Sequence, residues 1–392
     1  MPLLIDLTCL CDHHTDGALD HIYKSMSEPP GDDPSIWDEH PEPYIRRLVE
    51  IFSARGVARL DGLRDELVKW LHGEMHQAGL ERSQRPAGLM QRWTKTELDI
   101  ARRYLEALPA SEFELDDWML LVDFIVQRYL PADDLRTEAE WLATRAQLMG
   151  RVSAAAGAEL GSNSTDRILT ALPSSASAAE AEFGMTREQR AMLDYGNAHC
   201  AENVTGVVDA VRHRLRRLIM DYSEAQVLGD RSKTAESLQT QLMDEFAAMN
   251  RDWRRIAVTE AGENLNQGYV AATKLGTRLR RVEKYRGACE FCRKIDGTIV
   301  TVVDPADPNK DGKTQIWLGK TNVGRSASPR KRENGRLVDR HERERWWIAA
   351  GVQHPHCRGG WVRLEEGTRP VDPKFSEWMD KVLKRTPTAT EE

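Results

Sequence analysis

Four side chains in the C-terminal half have the types and the spacing to hold a metal ion. Cys289-Glu-Phe-Cys292 spaces two thiols so that one turn of backbone presents both to a single point, and His354-Pro-His-Cys357 supplies two more donors farther along. Together Cys289, Cys292, His354 and Cys357 make a Cys3His set. A tetrahedral zinc ion needs four donors at about 2.0 to 2.3 Å, and a full set leaves no open position for water. The spacing therefore predicts one structural Zn2+ per chain and no catalytic role. His354 is preferred to His356 because a spacing of three from Cys357 curls both side chains to one side, whereas a residue next to Cys357 tends to point away. His356 is then a neighbour of the site, or the ligand in its place. The bland alternative is a set of unrelated buried cysteines and surface histidines, which a lone CxxC would fit equally well and which the second pair disfavours. A redox CxxC is expected to open a helix after a strand, whereas this pair reads as preceding a turn and a strand. The N-terminal Cys9, Cys11, His13 and His14 crowd too closely for an ordinary four-ligand site.

The rest of the chain must position those donors. Its 392 residues suggest two or three folding units. Six cysteines at this length are no disulfide scaffold, and 55 basic against 62 acidic residues, a net charge of -7, exclude a DNA-coating polycation. The N-terminal residues show neither a basic start nor a long apolar run, so synthesis and folding in a reducing cytoplasm are expected.

The fold class reads as α+β: a mostly helical N-terminal domain, long helices, then a small zinc-stapled antiparallel β module. From about residue 38 to 157 apolar residues recur at spacings of three and four, as in Tyr44, Leu48, Ile51 and Phe52. Thr94 with Glu97, and Ser111 with Glu114, read as capping boxes. Residues 1–157 are taken as a helical domain, and the Gly/Ser/Ala-rich 158–182 as a linker. Thr186 with Gln189 opens a pattern that runs about forty residues to Leu228. Further helices are expected from near Thr234 and over 252–274. Short β-rich runs follow (LRRVEKYR, GTIVTVV, QIWLG, GGWVRLE), with Asp296-Gly297 as a hairpin-type turn. Residues 183–370 form the second domain, with the zinc module at 285–365, and 371–392 a C-terminal tail.

With these residues on the page, the stretch from Ala257 to Arg358 resembles the MuF-like phage head morphogenesis family, whose members are minor capsid proteins beside the portal. The family pattern is an arginine-rich helix with Thr-Glu and Asn-x-Gly, then Cys-x-x-Cys with Asp-Gly four residues on, then His-Pro-x-Cys-Arg. Here these positions are Arg254, Arg255, Thr259, Glu260, Asn266 and Gly268, then Cys289, Cys292, Asp296 and Gly297, then His354, Pro355, Cys357 and Arg358. Family members commonly add a cysteine after that arginine, where this chain has Gly359. The resemblance is strong over the last hundred residues of the region 180–365 and does not reach the N-terminal helices. It implies a virion component in the phage head, with the portal or the major capsid protein as partner. The rival from the enzyme class is an HNH-type nuclease or toxin effector, which would want a histidine on a helix downstream of Cys357.

Three further features carry expectations. Thr259, Glu260 and Asn266 are read as internal hydrogen-bonding groups that fix their helix to the zinc-bound segment, in preference to a catalytic carboxylate. The insert 324–345 carries seven arginines and one lysine against four acids; its core SPRKREN reads as a mobile, solvated loop, with weak non-specific DNA contact through Arg330, Lys331 and Arg332, or contact with an acidic portal rim, as the alternative. A second basic patch, Arg212 to Arg217 with Leu215 facing in, reads the same way. Finally, a forty-residue helix is about 60 Å long, so part of its apolar face should meet either the N-terminal helices or, preferably, the portal.

Overall fold

The computed structural model describes residues 38–86, 93–156, 162–230, 232–364 and 373–384. Cys9, Cys11, His13 and His14 lie outside them. The helices are α1 (Pro43–Leu71), α2 (Lys95–Glu106), α3 (Leu115–Tyr129), α4 (Ala132–Ala156), α5 (Ser162–Ala171), α6 (Ala176–Phe183), α7 (Arg187–Val227) and α8 (Ala235–Ala271). There follow β1 (Arg278–Val282), α9 (Glu290–Ile295), β2 (Ile299–Val302), β3 (Gln315–Ile316), β4 (Arg330–Glu333), β5 (Arg336–Asp339), β6 (Gly360–Arg363) and α10 (Pro373–Lys384). The α+β class is as the sequence predicts. No helix among the described residues is long and apolar enough to cross a membrane.

Local chemistry explains most helix starts. The Thr94 backbone N–H donates to Glu97 Oε2 at 2.6 Å and the Glu97 N–H to Thr94 Oγ1 at 3.2 Å, a complete capping box. Thr186 and Gln189 close the same reciprocal pair, both bonds at 3.2 Å, ahead of α7. The expected Ser111 box does not form, because residues Ala110–Glu112 make a 3-10 turn and α3 begins after Glu114. Tertiary partners select that register. Asp117 accepts from the Glu114 N–H at 2.9 Å, from Tyr104 Oη at 2.7 Å and from Arg85 Nε at 2.9 Å, and it is buried. The helices expected from Thr234 and over 252–274 are one continuous helix, α8, since no Gly or Pro interrupts the pattern between them.

The residues group into two compact units that do not follow chain order. One comprises Met1–Ile51, Ala139–Cys200 and Arg254–Glu392; the other Phe52–Glu138 and Ala201–Trp253. The boundaries fall inside α1, α4, α7 and α8, so single helices serve two cores, which a division at residues 157 and 183 cannot represent. The segment read as a linker carries α5 and α6. The segment read as a tail carries α10, whose Phe375 packs edge-on against Phe183 at 5.0 Å and whose last carbonyls, of Val382 and Leu383, accept from Arg167 Nη2 at 2.7 and 2.9 Å.

The second unit uses the arginines of α7 internally. Asp123 of α3 is buried and takes Arg212 at 3.1 Å as well as Arg216, while Arg214 reaches Asp252 at 3.2 Å. The patch read as a solvated basic face is therefore largely consumed by acids of the same unit. Leu215 faces in as expected. The apolar positions of α7, among them Val204, Val211, Leu215 and Ile219, are buried within the chain itself. Tyr195 and Met220 are exposed along the helix, and at its end Val227 and Leu228 are 85% and 74% exposed.

In the first unit a four-stranded sheet has the order β3-β2-β1-β6. β1 pairs antiparallel with β2 (Leu279 opposite Val300) and with β6 (Arg281 opposite Trp361), while the two-residue edge strand β3 runs parallel to β2. Leu279, Val300, Val302, Ile316 and Trp361 pack with Tyr269 and Val270 of α8 and Ala154 of α4. The SPRKREN segment is not a loop. Its last residues form β4, paired with β5 through Asn334-Gly335, both at positive φ (50° and 78°), the I′ turn whose sequence signal is this dipeptide.

Two glycines let α4 and α8 cross with backbones in contact. A Cβ at Gly268 would lie 1.9 Å from the Gln147 carbonyl oxygen, and one at Gly150 would lie 2.0 Å from that of Leu265. The Asn-x-Gly spacing thus acquires a packing reason. Alanine gains about 1 kcal/mol over glycine in a free helix, but overlap with a backbone oxygen cannot relax by a rotamer change. Gly268→Ala is expected to destabilise the protein by about 3 kcal/mol, the upper range for overpacking, in denaturant unfolding. An unchanged or raised midpoint would refute the crossing.

Candidate metal centre

The knuckle between β1 and β2 is α9, and Cys289 is its N-cap, with Sγ accepting from the Cys292 N–H at 3.4 Å. The CxxC pair does open a short helix after a strand, contrary to the expectation used against a redox role. The turn ends at Asp296-Gly297: Gly297, at φ 79°, donates its N–H to the Arg281 carbonyl at 2.9 Å, and Asp296 Oδ1 accepts from the Glu283 N–H at 2.8 Å. The turn therefore locks the knuckle onto β1 and is not a two-residue hairpin.

On the other side of the centre, His356 adopts φ 63° and the Cys357 N–H donates to the His354 carbonyl at 3.1 Å. That turn brings His354 and Cys357 to the same side. His354 Nε2 lies 3.3 Å from Cys289 Sγ and 3.2 Å from Cys292 Sγ, and Cys292 Sγ lies 3.9 Å from Cys357 Sγ. Ligands at about 2.0 to 2.3 Å around a tetrahedral ion stand roughly 3.5 to 3.8 Å apart, so these separations suit a shared metal within a few tenths of an ångström. Cys289, Cys292 and His354 form one group with donor atoms mutually within 4.8 Å; Glu283, Cys292 and Cys357 form a second that shares Cys292. Cys357 thus adjoins the first group through Cys292 and does not approach both of its other donors at that range. His354, not His356, joins the sulfur atoms.

Protonation follows from this crowding. The hydrogen bond with Cys292, more than any other contact, pulls the Cys289 thiol down to about 4 against the opposing effect of burial. The Cys292 thiol is pushed up, first by its hydrogen bonds with Cys289 and Cys357. Burial opposes ionisation of Cys357, but the Cys292 hydrogen bond and the charges of Arg281 and His354 hold it well below the ordinary thiol range. Burial likewise opposes a charged His354, yet Cys289 and Cys357 lift it to about 9. The cluster thus shares protons among four basic atoms, the positions that a divalent cation takes when it displaces them. The His354 Nδ1 faces the Pro355 carbonyl at 2.8 Å, and since that oxygen can only accept, Nδ1 carries a hydrogen while Nε2 faces the sulfur atoms. Trp346 stacks on the His354 imidazole, 5.6 Å between centroids, and meets Phe291 edge-on at 5.3 Å.

Helix α8 holds the 351–359 segment. Thr259 Oγ1 accepts from the His356 N–H at 2.8 Å, and Asn266 Nδ2 donates to the Gly359 carbonyl at 2.9 Å, as the sequence reading expects. Glu260 does otherwise: it is buried against His199 of α7 at 3.2 Å. The carboxylate that reaches the segment is Glu263, which accepts from the Val352 N–H at 2.7 Å and from Gln267 at 2.9 Å, and whose carboxyl is pushed up by burial. Sequence reasoning also missed Arg281 and Glu283. Their only signal was position, because strict alternation along β1 puts Arg281 on the buried face with Leu279.

In the basic hairpin, register separates the three residues read together. Arg330 and Arg332 share one face, with Arg330 paired to Asp339 at 3.2 Å, while Lys331 turns to the other and meets Glu344 at 2.9 Å. No protein-family model, curated protein or solved structure matches the chain.

Thr259→Val keeps the shape of the side chain and leaves the His356 N–H without its acceptor. The expected cost is about 1 to 3 kcal/mol in thermal or denaturant unfolding. A variant as stable as the parent would mean that this N–H finds water instead.

Proposed function

We propose that the chain is a non-enzymatic structural protein whose 285–365 module is stapled by one zinc ion on Cys289, Cys292, His354 and Cys357, and that it serves as a phage minor capsid (head morphogenesis) protein. The observation that carries the reading is the meeting of the motif's separate parts in one unit. Thr259, Asn266 and Gly268 on α8, the CxxC knuckle and the His-Pro-His-Cys-Arg turn are joined by the bonds above. Four protein donors fill a tetrahedral ion, which supports a structural in preference to a catalytic site. The nuclease reading lacks its helical histidine, since no histidine follows His356. In this function the module sits inside the phage head beside the portal, with the portal or the major capsid protein as its partner. DNA contact is weak and without sequence preference, because two of the three cations Arg330, Lys331 and Arg332 already have acidic partners.

Chelator-washed protein is expected to retain close to one zinc per chain by elemental analysis. Cys292→Ser and Cys357→Ser should each lose that metal and lower the unfolding temperature, because the free energy of binding is part of the free energy of folding. Freshly purified protein without bound metal would refute the zinc. For the assembly role, co-expression with the portal and major capsid proteins of the same phage should give a complex through affinity and size-exclusion steps. Failure to associate with either would remove the capsid assignment and leave the metal module untouched.

A further inference from the structure

Beneath Cys357 lies a buried ion pair that the ligand set does not require. Arg281 and Glu283 are two apart on β1 and its continuation, and both side chains are 0% exposed. Arg281 Nε donates to Glu283 Oε1 at 2.6 Å, Nη1 to the Gly351 carbonyl at 3.2 Å, and Nη2 to Cys357 Sγ at 3.7 Å. Its guanidinium also lies over the Trp361 ring at 5.0 Å. Three fixed contacts leave the fork one orientation, and that orientation delivers an N–H and a full positive charge to a sulfur atom. Glu283 approaches the same sulfur, with Oε2 at 3.6 Å.

The arrangement has a charge logic. A divalent ion with three thiolates and a neutral imidazole carries one net negative charge, which would be buried here without a counterion. A buried charge needs a partner, and removing one partner costs far more than removing both. Arginine stays protonated in any surroundings, so it supplies a permanent cation. We propose that Arg281 is the positioning residue and counterion of the metal centre: it holds Cys357 Sγ in place through Nη2, offsets the negative charge of the loaded site and thereby sets its affinity, while Glu283 orients the guanidinium. This rests on the metal reading above. It explains why Glu283, although grouped with Cys292 and Cys357, is no additional ligand: the guanidinium already occupies the place of a second cation between Glu283 and Cys357.

The two members of the pair should act with opposite sign. Arg281→Met removes the charge and keeps most of the volume; it is expected to weaken zinc binding by about 10- to 100-fold in competition with a chromophoric chelator. In cobalt-substituted protein the thiolate-to-cobalt charge-transfer band should shift. Arg281→Lys, which restores the charge without the fork, should recover much of the affinity. Glu283→Gln keeps an acceptor for Nε while deleting a negative charge beside the thiolates, so zinc should bind as tightly as in the parent, or tighter. Loss of affinity in Glu283→Gln equal to that in Arg281→Met would mean that the pair acts by packing, and would overturn the proposal. So would an Arg281→Met protein with the parent's affinity and cobalt spectrum. If Arg281→Met does not fold, Arg281→Lys and Glu283→Gln decide by the same signs. A parent protein that takes up neither zinc nor cobalt sinks the metal reading itself, a result distinguishable from failure confined to the variants.

Discussion

The segment from Gly351 to Gly359 belongs to no strand or helix, yet most of it is buried, and its backbone polar groups must be satisfied by something other than water. Helix α8 satisfies three of them. Glu263 takes the Val352 N–H, Thr259 that of His356, and Asn266 gives to the Gly359 carbonyl. These contacts fix the place of His354 and Cys357 relative to the helix, while the Asp296-Gly297 turn fixes Cys289 and Cys292 relative to β1. The donor geometry is thus imposed twice, by two elements that share one core through Tyr269, Val270 and Leu279. Because α8 also crosses α4 through glycine contacts, it can serve as the reference against which the knuckle and the turn are set.

Buried charge is handled in the two units by different means. In the second unit the arginines of α7 find carboxylates on α3 and α8, where each charge has an opposite partner at hydrogen-bond range. In the first unit Glu263 accepts from two amide donors, and burial raises its carboxyl. Glu283 is pushed up to about 7, burial outweighing the Arg281 charge beside it. These carboxylates are tolerated near the cysteine and histidine cluster because each of their oxygens is engaged by the fold.

Features with a local cause were legible in the sequence. The Thr94 and Thr186 boxes need only four residues to form, and the CxxC and HPHC spacings report a geometry that short turns dictate. The β-rich runs were legible for the same reason, since alternation and Gly/Asp punctuation act within a few residues. Where a distant partner decides, the sequence was silent or misleading. Ser111 was passed over because Asp117 has Tyr104 and Arg85 to hold it at another start. Glu260 turned to His199, sixty-one positions away, and Glu263 took the task expected of it. Arg281 looks like any strand arginine until β6 and the cysteines close over it. The hairpin is a different kind of failure: Asn334-Gly335 is a strong local signal, and the charge around it drew the reading toward a solvated loop.

Interleaving of the two units bears on how the chain can reach this state during synthesis. The second unit needs residues as far as Trp253 before its core can close, and the first needs N-terminal residues of α1 together with β6 and α10 from the opposite end. Helices made early must therefore wait, with apolar faces uncovered, for strands made last. Such a chain has long loops to close between its first and last elements, a cost that slows folding. Vectorial release from the ribosome would expose α1 and α4 to solvent or to a chaperone until α8 emerges, and only then would the cysteine knuckle and the histidine turn, the last-made parts, find the scaffold that aligns them.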